Sequence, residues 1–110
     1  MRLGSVLGPL LALVAAALLE VGGDAVIRQG LRGRGAATIV GGCLMLAGYG
    51  LVVNLVPWDF SRLLGIYAAA FAVVSVLVGR FWFGEAVPAS TWTGLGLVVL
   101  GGLVIQAGRR

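Results

Sequence analysis

Apolar side chains fill four long stretches of the chain, and polar residues collect in the short segments between them. The stretches predict helices at about residues 3–28, 36–56, 60–83 and 89–108. Each is close to the ~20 apolar residues that a helix needs to cross the hydrocarbon core of a bilayer. The pattern predicts an all-α membrane protein, in which four transmembrane helices with short loops form a single domain over residues 1–110.

Residues near the helix ends support these boundaries. The second stretch stops before Pro57, and the residue before a proline is pushed out of helical geometry. Arginine and glycine in "RQGLRGRG" predict a tight loop after the first helix, while Gly84 and Pro88 punctuate the turn after the third. Connections this short make neighbouring helices run antiparallel.

Composition excludes a soluble protein and most enzymes. Hydrophobic residues make up 60% of the chain and charged residues only 11%, against roughly 25% charged in an average soluble domain. With no histidine and a single cysteine, the chain offers no zinc site, internal disulfide or catalytic triad. We therefore expect no enzyme activity, no cofactor and no metal. Cys43 lies within an apolar run and is predicted to be a small buried side chain.

The positive charges fall at the ends of the apolar stretches. The net charge of +4 is therefore expected to meet lipid headgroups and not nucleic acid. Four predicted spans place Arg2, Arg62, Arg109 and Arg110 on one side of the membrane, and Arg28, Arg32, Arg34 and Arg80 on the other. Orientation depends on an imbalance of these charges, and here there is none. The tally permits insertion in both orientations and an antiparallel, dual-topology homodimer.

The first stretch also has the outline of a secretory signal peptide, with Arg2, an apolar run and the small residues Ala15–Ala17. The apolar run, however, continues past these alanines, and cleavage would leave three helices. We expect the first helix to be retained.

The last stretch carries a stripe of residues suited to close helix packing. Gly94, Leu97, Gly101 and Val104 share one helix face, which we call the glycine stripe. Small residues let helices approach closely in lipid. The stripe is a candidate dimer interface; the alternative is that it packs within the protomer.

The first helix carries two carboxylates in an apolar setting. Glu20, Asp24 and Arg28 are spaced by four and lie on one helix face, where Asp24 and Arg28 can form an ion pair. Glu20 precedes Arg28 by about 12 Å along the helix axis, on the side away from the loop. An ionisable residue inside a membrane helix is a functional candidate by default. A carboxyl group that alternately binds a proton and a cation is the basis of a proton-coupled exchanger. The alternative for Glu20 is structural: a hydrogen-bonded neutral carboxyl, or an ion pair with Arg62 or Arg80.

Two segments resemble a known transporter family. "LLEVGGDAVIRQGLRG" resembles the first helix of the small multidrug resistance family, in the drug/metabolite transporter superfamily, with Glu20, Val21, Gly23 and Arg28 at the family's positions. "FWFGEAVPASTWTGLGLVVLGGLVI" resembles that family's aromatic turn and fourth helix. The final "TWTGLGLVVLGGLVIQAGRR" is equally similar to the YnfA-type small membrane proteins.

The resemblance implies a mechanism. In the small multidrug resistance family, the first-helix glutamates of two antiparallel protomers bind protons and cationic substrate competitively, a role that falls here to Glu20. The third helix departs from the family: Tyr67 stands at the tryptophan position and Leu64 at the tyrosine position, and Ala69–Phe71 replace a glycine hinge. Arg62 adds a positive charge. The candidate substrate- and proton-binding residues are Glu20, Asp24, Tyr67 and Arg62.

The leading hypothesis is a proton-coupled exporter of a small molecule, with an organic cation as the first choice of substrate. It would act as a homodimer in contact with lipids, in the cell membrane of a bacterium (the inner membrane). One alternative is a half-size subunit of a heteromeric drug/metabolite-type transporter or of a flippase for a lipid-linked substrate. Another is a non-transporting membrane accessory protein.

Overall fold

The computed structural model describes residues 3–108, and side chains from residue 7 onward. Its four α-helices are α1 (Leu3–Gln29), α2 (Ala36–Val53), α3 (Phe60–Phe81) and α4 (Ala89–Ala107). All four are long and apolar enough to cross a membrane, and residues 3–108 contain no strand. The predicted all-α fold with four membrane-spanning helices is confirmed. Arg2, Arg109 and Arg110, which entered the charge tally, lie outside the described residues.

Two helices end earlier than the apolar pattern indicates. α2 stops at Val53, where the Asn54 side-chain amide donates a hydrogen bond to the Gly50 carbonyl oxygen at 2.8 Å. The chain then tightens, with Leu55 N–H bonded to the Val52 oxygen at 3.1 Å. α3 stops at Phe81. Hydropathy could not locate these ends because the residues after each helix remain apolar.

The connection between α1 and α2 is a turn at Gly30–Arg34, in which Arg32 and Gly33 do not have helical backbone geometry, in agreement with the predicted tight loop. It continues α1 directly, and the chain reverses at two glycines. Gly33 has φ 118° and Gly35 has φ 104°, values that side chains with a Cβ rarely adopt. Gly35 N–H closes the turn on the Gly30 oxygen at 3.2 Å. These two glycines let α2 begin at once and fold back along α1.

The chain divides into two compact units, residues 1–57 and 58–110; the expectation of a single domain stays a prediction. In the first unit, α1 and α2 cross at Gly23 and Gly42. A Cβ on Gly42 would lie 2.7 Å from the Gly23 oxygen and 2.5 Å from Ile27 Cγ1. The two backbones therefore touch, which only glycine allows. Such close packing holds helices together in lipid, where the hydrophobic effect does not act between them.

In the second unit, α3 and α4 pack antiparallel through small residues. A Cβ on Gly102 would lie 2.8 Å from the Ala69 Cβ, and one on Gly65 would lie 2.7 Å from Ile105 Cδ1. Since residue 65 faces 105 and residue 69 faces 102, the helices run in opposite directions. This brings the start of α3 beside the end of α4.

Large apolar side chains cover much of the outer surface. Leu44 is 68% exposed and Leu51 73% exposed, as expected where lipid and not water is the solvent. Cys43 is also exposed, so its predicted burial is wrong. An apolar run in a soluble protein indicates a core, but in a membrane helix it is equally compatible with a side chain that faces lipid.

Candidate functional site

Glu20 lies well inside the span of α1. It is nine residues from the end of the helix at Gln29, which at 1.5 Å per residue is about 14 Å. Glu20 therefore lies well inside a helix that is long and apolar enough to cross a membrane. Its side chain is half-buried. Ala16 and Ala17, one turn before it, are both 0% exposed, so this part of the α1 surface is covered by protein.

The packing of α1 on α2 brings a polar group to Glu20. A Cβ on Gly48 would lie 3.6 Å from Leu19 Cδ1, so residues 19 and 20 of α1 face residues 48 and 49 of α2. The negative charge of the Glu20 carboxylate acts on the Tyr49 hydroxyl, and Tyr49 is also half-buried. Carboxyl and phenol together form the candidate site of the first unit.

Tyr49 is a functional candidate that the sequence reasoning missed. A signal was available, because α1 and α2 form an antiparallel hairpin closed by the glycines at 33 and 35. Counting equal distances outward from that turn pairs residue 20 with a position near 48. The family resemblance points to the third helix for an aromatic partner and gives no reason to select Tyr49.

Asp24 and Arg28 occupy the same helix as Glu20, one and two turns further toward the turn at Gly30–Arg34. Both are exposed, unlike Glu20. The environments of the two carboxylates therefore differ within the protomer. The ion pair between Asp24 and Arg28 stays a prediction.

Arg62 and Tyr67 lie on α3, in the second unit. An Arg62 guanidinium N–H donates to Gln106 Oε1 at 3.0 Å, and the guanidinium carbon lies 4.0 Å from the centre of the Trp58 ring. Tyr67 is 5% exposed, and its ring centre is 6.3 Å from that of Phe71. Whether these two residues share a site with Glu20 stays a prediction.

The glycine stripe faces away from α3. Gly94 and Gly101 have no atom within 4 Å of an ideal Cβ position, while Leu97 is 65% and Val104 is 64% exposed. α4 contacts α3 instead through Gly102 and Ile105. Among the described residues of the second unit, the stripe is a face of α4 that does not contact α3, and the dimer interface stays a prediction.

The chemistry of the first-unit site is that of a carboxyl group with a hydroxyl beside it. A carboxylate accepts hydrogen bonds and binds cations, a carboxylic acid does neither well, and a phenol donates to the charged form. Among residues 3–108, no group of three or more His, Cys, Asp or Glu side chains could hold a metal ion.

Comparison with known proteins identifies relatives over nearly the whole chain. Residues 6–110 match the family described as "Uncharacterised BCR, YnfA/UPF0060 family". A UPF0060 membrane protein of Frankia casuarinae is 36% identical over 103 residues, covering 92% of this chain and 94% of the relative. One of Synechocystis is 28% identical over 106 residues, covering 96% and 98%. No solved structure matches significantly.

The YnfA-type resemblance seen in the last helix therefore extends to all four helices. The relatives are bacterial and are named membrane proteins, in agreement with the four spans of this chain. The protein is a multi-pass protein of the cell membrane.

Proposed function

The chain belongs to the YnfA/UPF0060 family of membrane proteins, and from this premise we propose that it is a proton-coupled transporter. In this proposal it exports a small molecule, in the first place an organic cation, and Glu20 binds proton and cargo alternately. The observation that carries the proposal is a half-buried carboxyl group well inside a membrane-spanning helix, close enough to Tyr49 for its charge to act on that residue.

Electrostatics supports alternate binding at this position. A charged group in the membrane interior is costly, so a carboxylate there is stabilised by a proton or by another cation. The two states of Glu20 therefore compete: protonation releases the cation, and cation binding releases the proton. The polar Tyr49 side chain on α2 lies close enough for the Glu20 charge to act on it.

Two copies would complete the site. A pair of helices encloses little space, and the family that the first helix resembles places two equivalent glutamates in one cavity. The outward-facing glycine stripe of α4 offers a contact surface for the second copy. A homodimer of oppositely inserted protomers would present the site to each side of the membrane in turn.

The experiment measures protons released when a lipophilic cation, tetraphenylphosphonium, is added to the detergent-solubilised protein in weak buffer. We expect the wild type to release protons and Glu20→Gln to reduce both proton release and cation binding by at least about tenfold, because the amide cannot ionise. Glu85→Gln, in an exposed loop, is the control. It should release protons as the wild type does.

Unchanged transport and proton release in Glu20→Gln would show that another group carries the exchange. A loss of stability without any change in cation flux would favour the accessory-protein alternative, in which the carboxyl group only joins helices. Purification with an obligate second chain would favour the half-size subunit of a heteromeric transporter.

A further inference from the structure

The turn between α1 and α2 collects positive charge at one end of the first unit. Arg32 and Arg34 lie in this turn, and both side chains are exposed. Residues 25–58 contain no aspartate or glutamate. The carboxylate closest to the turn in the sequence belongs to Asp24, which precedes it on α1 and is the predicted partner of Arg28. The α1–α2 turn therefore carries two positive charges with no acidic residue close to them in the sequence.

The backbone of the α1–α2 turn is held by packing against α2. Gly30 is buried, and a Cβ there would lie 2.5 Å from Ile39 Cγ1. The Gly35 N–H donates to the Gly30 oxygen at 3.2 Å, and the Ile39 N–H donates to the Gly35 oxygen at 3.3 Å. Binding to an ordered segment loses less conformational entropy than binding to a flexible one, so this turn is suited to hold a ligand.

The position and composition of the α1–α2 turn favour a phospholipid as that ligand. The turn joins two helices that are long and apolar enough to cross a membrane, so it lies at the membrane surface. The guanidinium group of arginine matches the geometry of a phosphate. Leu31, next to Arg32 in the turn, is 73% exposed and offers apolar surface to an acyl chain. A free anion would make no use of Leu31.

Two arginines of the second unit have different surroundings. Arg62 donates to Gln106 Oε1 at 3.0 Å. Beside Arg80, a carboxylate oxygen of Glu85 lies against the α3 backbone, 2.5 Å from the position that a Cβ on Gly79 would take. A negative charge close to Arg80 reduces its attraction for an anion. The α1–α2 turn therefore attracts an anionic headgroup more strongly than the end of α3 does.

We propose that the α1–α2 turn binds an anionic phospholipid, with Arg32 and Arg34 on the headgroup phosphate and Leu31 against an acyl chain. The charge tally along the sequence treats all the arginines alike, whereas this proposal assigns headgroup binding to one turn. It does not depend on transport by Glu20.

The test measures lipids retained by the purified full-length protein in native mass spectrometry. Phosphatidylglycerol and phosphatidylcholine with identical acyl chains are added in turn, and the wild type should retain more phosphatidylglycerol. Arg32→Gln and Arg34→Gln should each weaken phosphatidylglycerol binding roughly fivefold, the factor expected for one basic residue at an anionic lipid surface. Both side chains are exposed, so we expect both variants to fold. Arg80→Gln is the matched control, because it removes one exposed arginine outside the turn, and it should have a clearly smaller effect.

Equal losses in the three glutamine variants would overturn the proposal, because the attraction would then be a general one between arginines and headgroups. Equal retention of the two lipids by the wild type would overturn it as well. Displacement of phosphatidylglycerol by millimolar inorganic phosphate at constant ionic strength would show that the turn takes the free anion and would contradict a lipid occupant.

Lysine variants separate the charge from the shape of the guanidinium. Arg32→Lys and Arg34→Lys keep the positive charge but lose the planar fork, so they should bind phosphatidylglycerol more tightly than the glutamine variants and more weakly than the wild type. Binding as weak as in the glutamine variants would contradict an electrostatic role for the turn.

Discussion

A carboxyl group in an apolar helix is tolerated at position 20 because of what α2 places next to it. Glu20 is half-buried, with the fully buried Ala16 and Ala17 one turn before it and the Tyr49 hydroxyl within reach of its charge. A hydrogen-bond donor is worth more to a carboxylate at low dielectric than in water. The proposed exchange therefore depends on both members of this pair.

Tyr49→Phe tests whether the hydroxyl supports cation binding at the site. The ring remains, so we expect the helices to stay packed. Without the hydroxyl, the Glu20 carboxylate loses a polar neighbour on α2. The dissociation constant of tetraphenylphosphonium, measured at one fixed pH, should therefore shift upward relative to the wild type.

The comparison for this prediction is Tyr67→Phe on α3, the tyrosine named by the family resemblance. If tetraphenylphosphonium binding changes in Tyr67→Phe and not in Tyr49→Phe, the tyrosine that supports binding is the one on α3. If binding changes in Tyr49→Phe alone, it is the one on α2.

At the scale of elements, glycines determine how the helices pack. α2 is apolar around its whole circumference, so hydropathy does not say which face meets α1. The crossing at Gly23 and Gly42 decides it, because these are positions where the two backbones touch. That crossing also sets the register that brings Tyr49 to Glu20.

Gly42→Ala should destabilise the first unit. The added Cβ would lie 2.7 Å from the Gly23 oxygen and 2.5 Å from Ile27 Cγ1, so α1 and α2 must move apart, at a cost of about 1–3 kcal/mol. The neighbouring Gly41→Ala is the control, since a Cβ there meets no atom within 4 Å. Alanine is also the better helix former, so Gly41→Ala should be neutral or slightly stabilising. The free energy of unfolding of both variants is measured in mixed micelles from the loss of the helical circular dichroism signal. Equal values for Gly42→Ala and Gly41→Ala would contradict a close contact of α1 and α2 at Gly42.

At the scale of the whole molecule, the outer surface is as informative as the interior. Many of the large apolar side chains are exposed. Contact with lipid chains is enough to keep most of them out of water, so they do not require a protein partner. The glycine stripe differs from that background because its small residues make a shallow groove on α4 into which another helix fits. Its exposure is what a dimer interface requires of the isolated protomer.

Gly101→Leu should weaken the homodimer and leave the protomer folded. A Cβ at Gly101 meets no atom within 4 Å, so the larger side chain projects from the surface and would obstruct a second helix. Gly96→Leu is the matched control: it also has open space around its Cβ but lies off the glycine stripe. The dimer fraction after chemical cross-linking in membranes is the measurement. A loss of dimer in both variants, or in neither, would count against the stripe as the interface.

The sequence by itself determined the four membrane-spanning helices and the acidic residue inside the first of them. This is possible because a helix satisfies its own backbone hydrogen bonds in lipid, so length and hydropathy are enough to predict it. The predicted starts of α2, α3 and α4 coincide with those of the structure, and a proline or glycine lies at or shortly before each of these starts. Glu20 is easy to identify in such a stretch because the residues around it are mostly apolar.

Only the tertiary structure decided which side chains meet. The Tyr49 hydroxyl beside Glu20, the Arg62 contact with Gln106, and the exposure of Cys43 all depend on the rotation and register of one helix against its neighbour. Those are set by close contacts such as Gly23 with Gly42 and Gly102 with Ala69. Hydropathy is nearly uniform around α2 and α4 because lipid and protein interior are equally apolar, so the linear pattern contains little information about the faces.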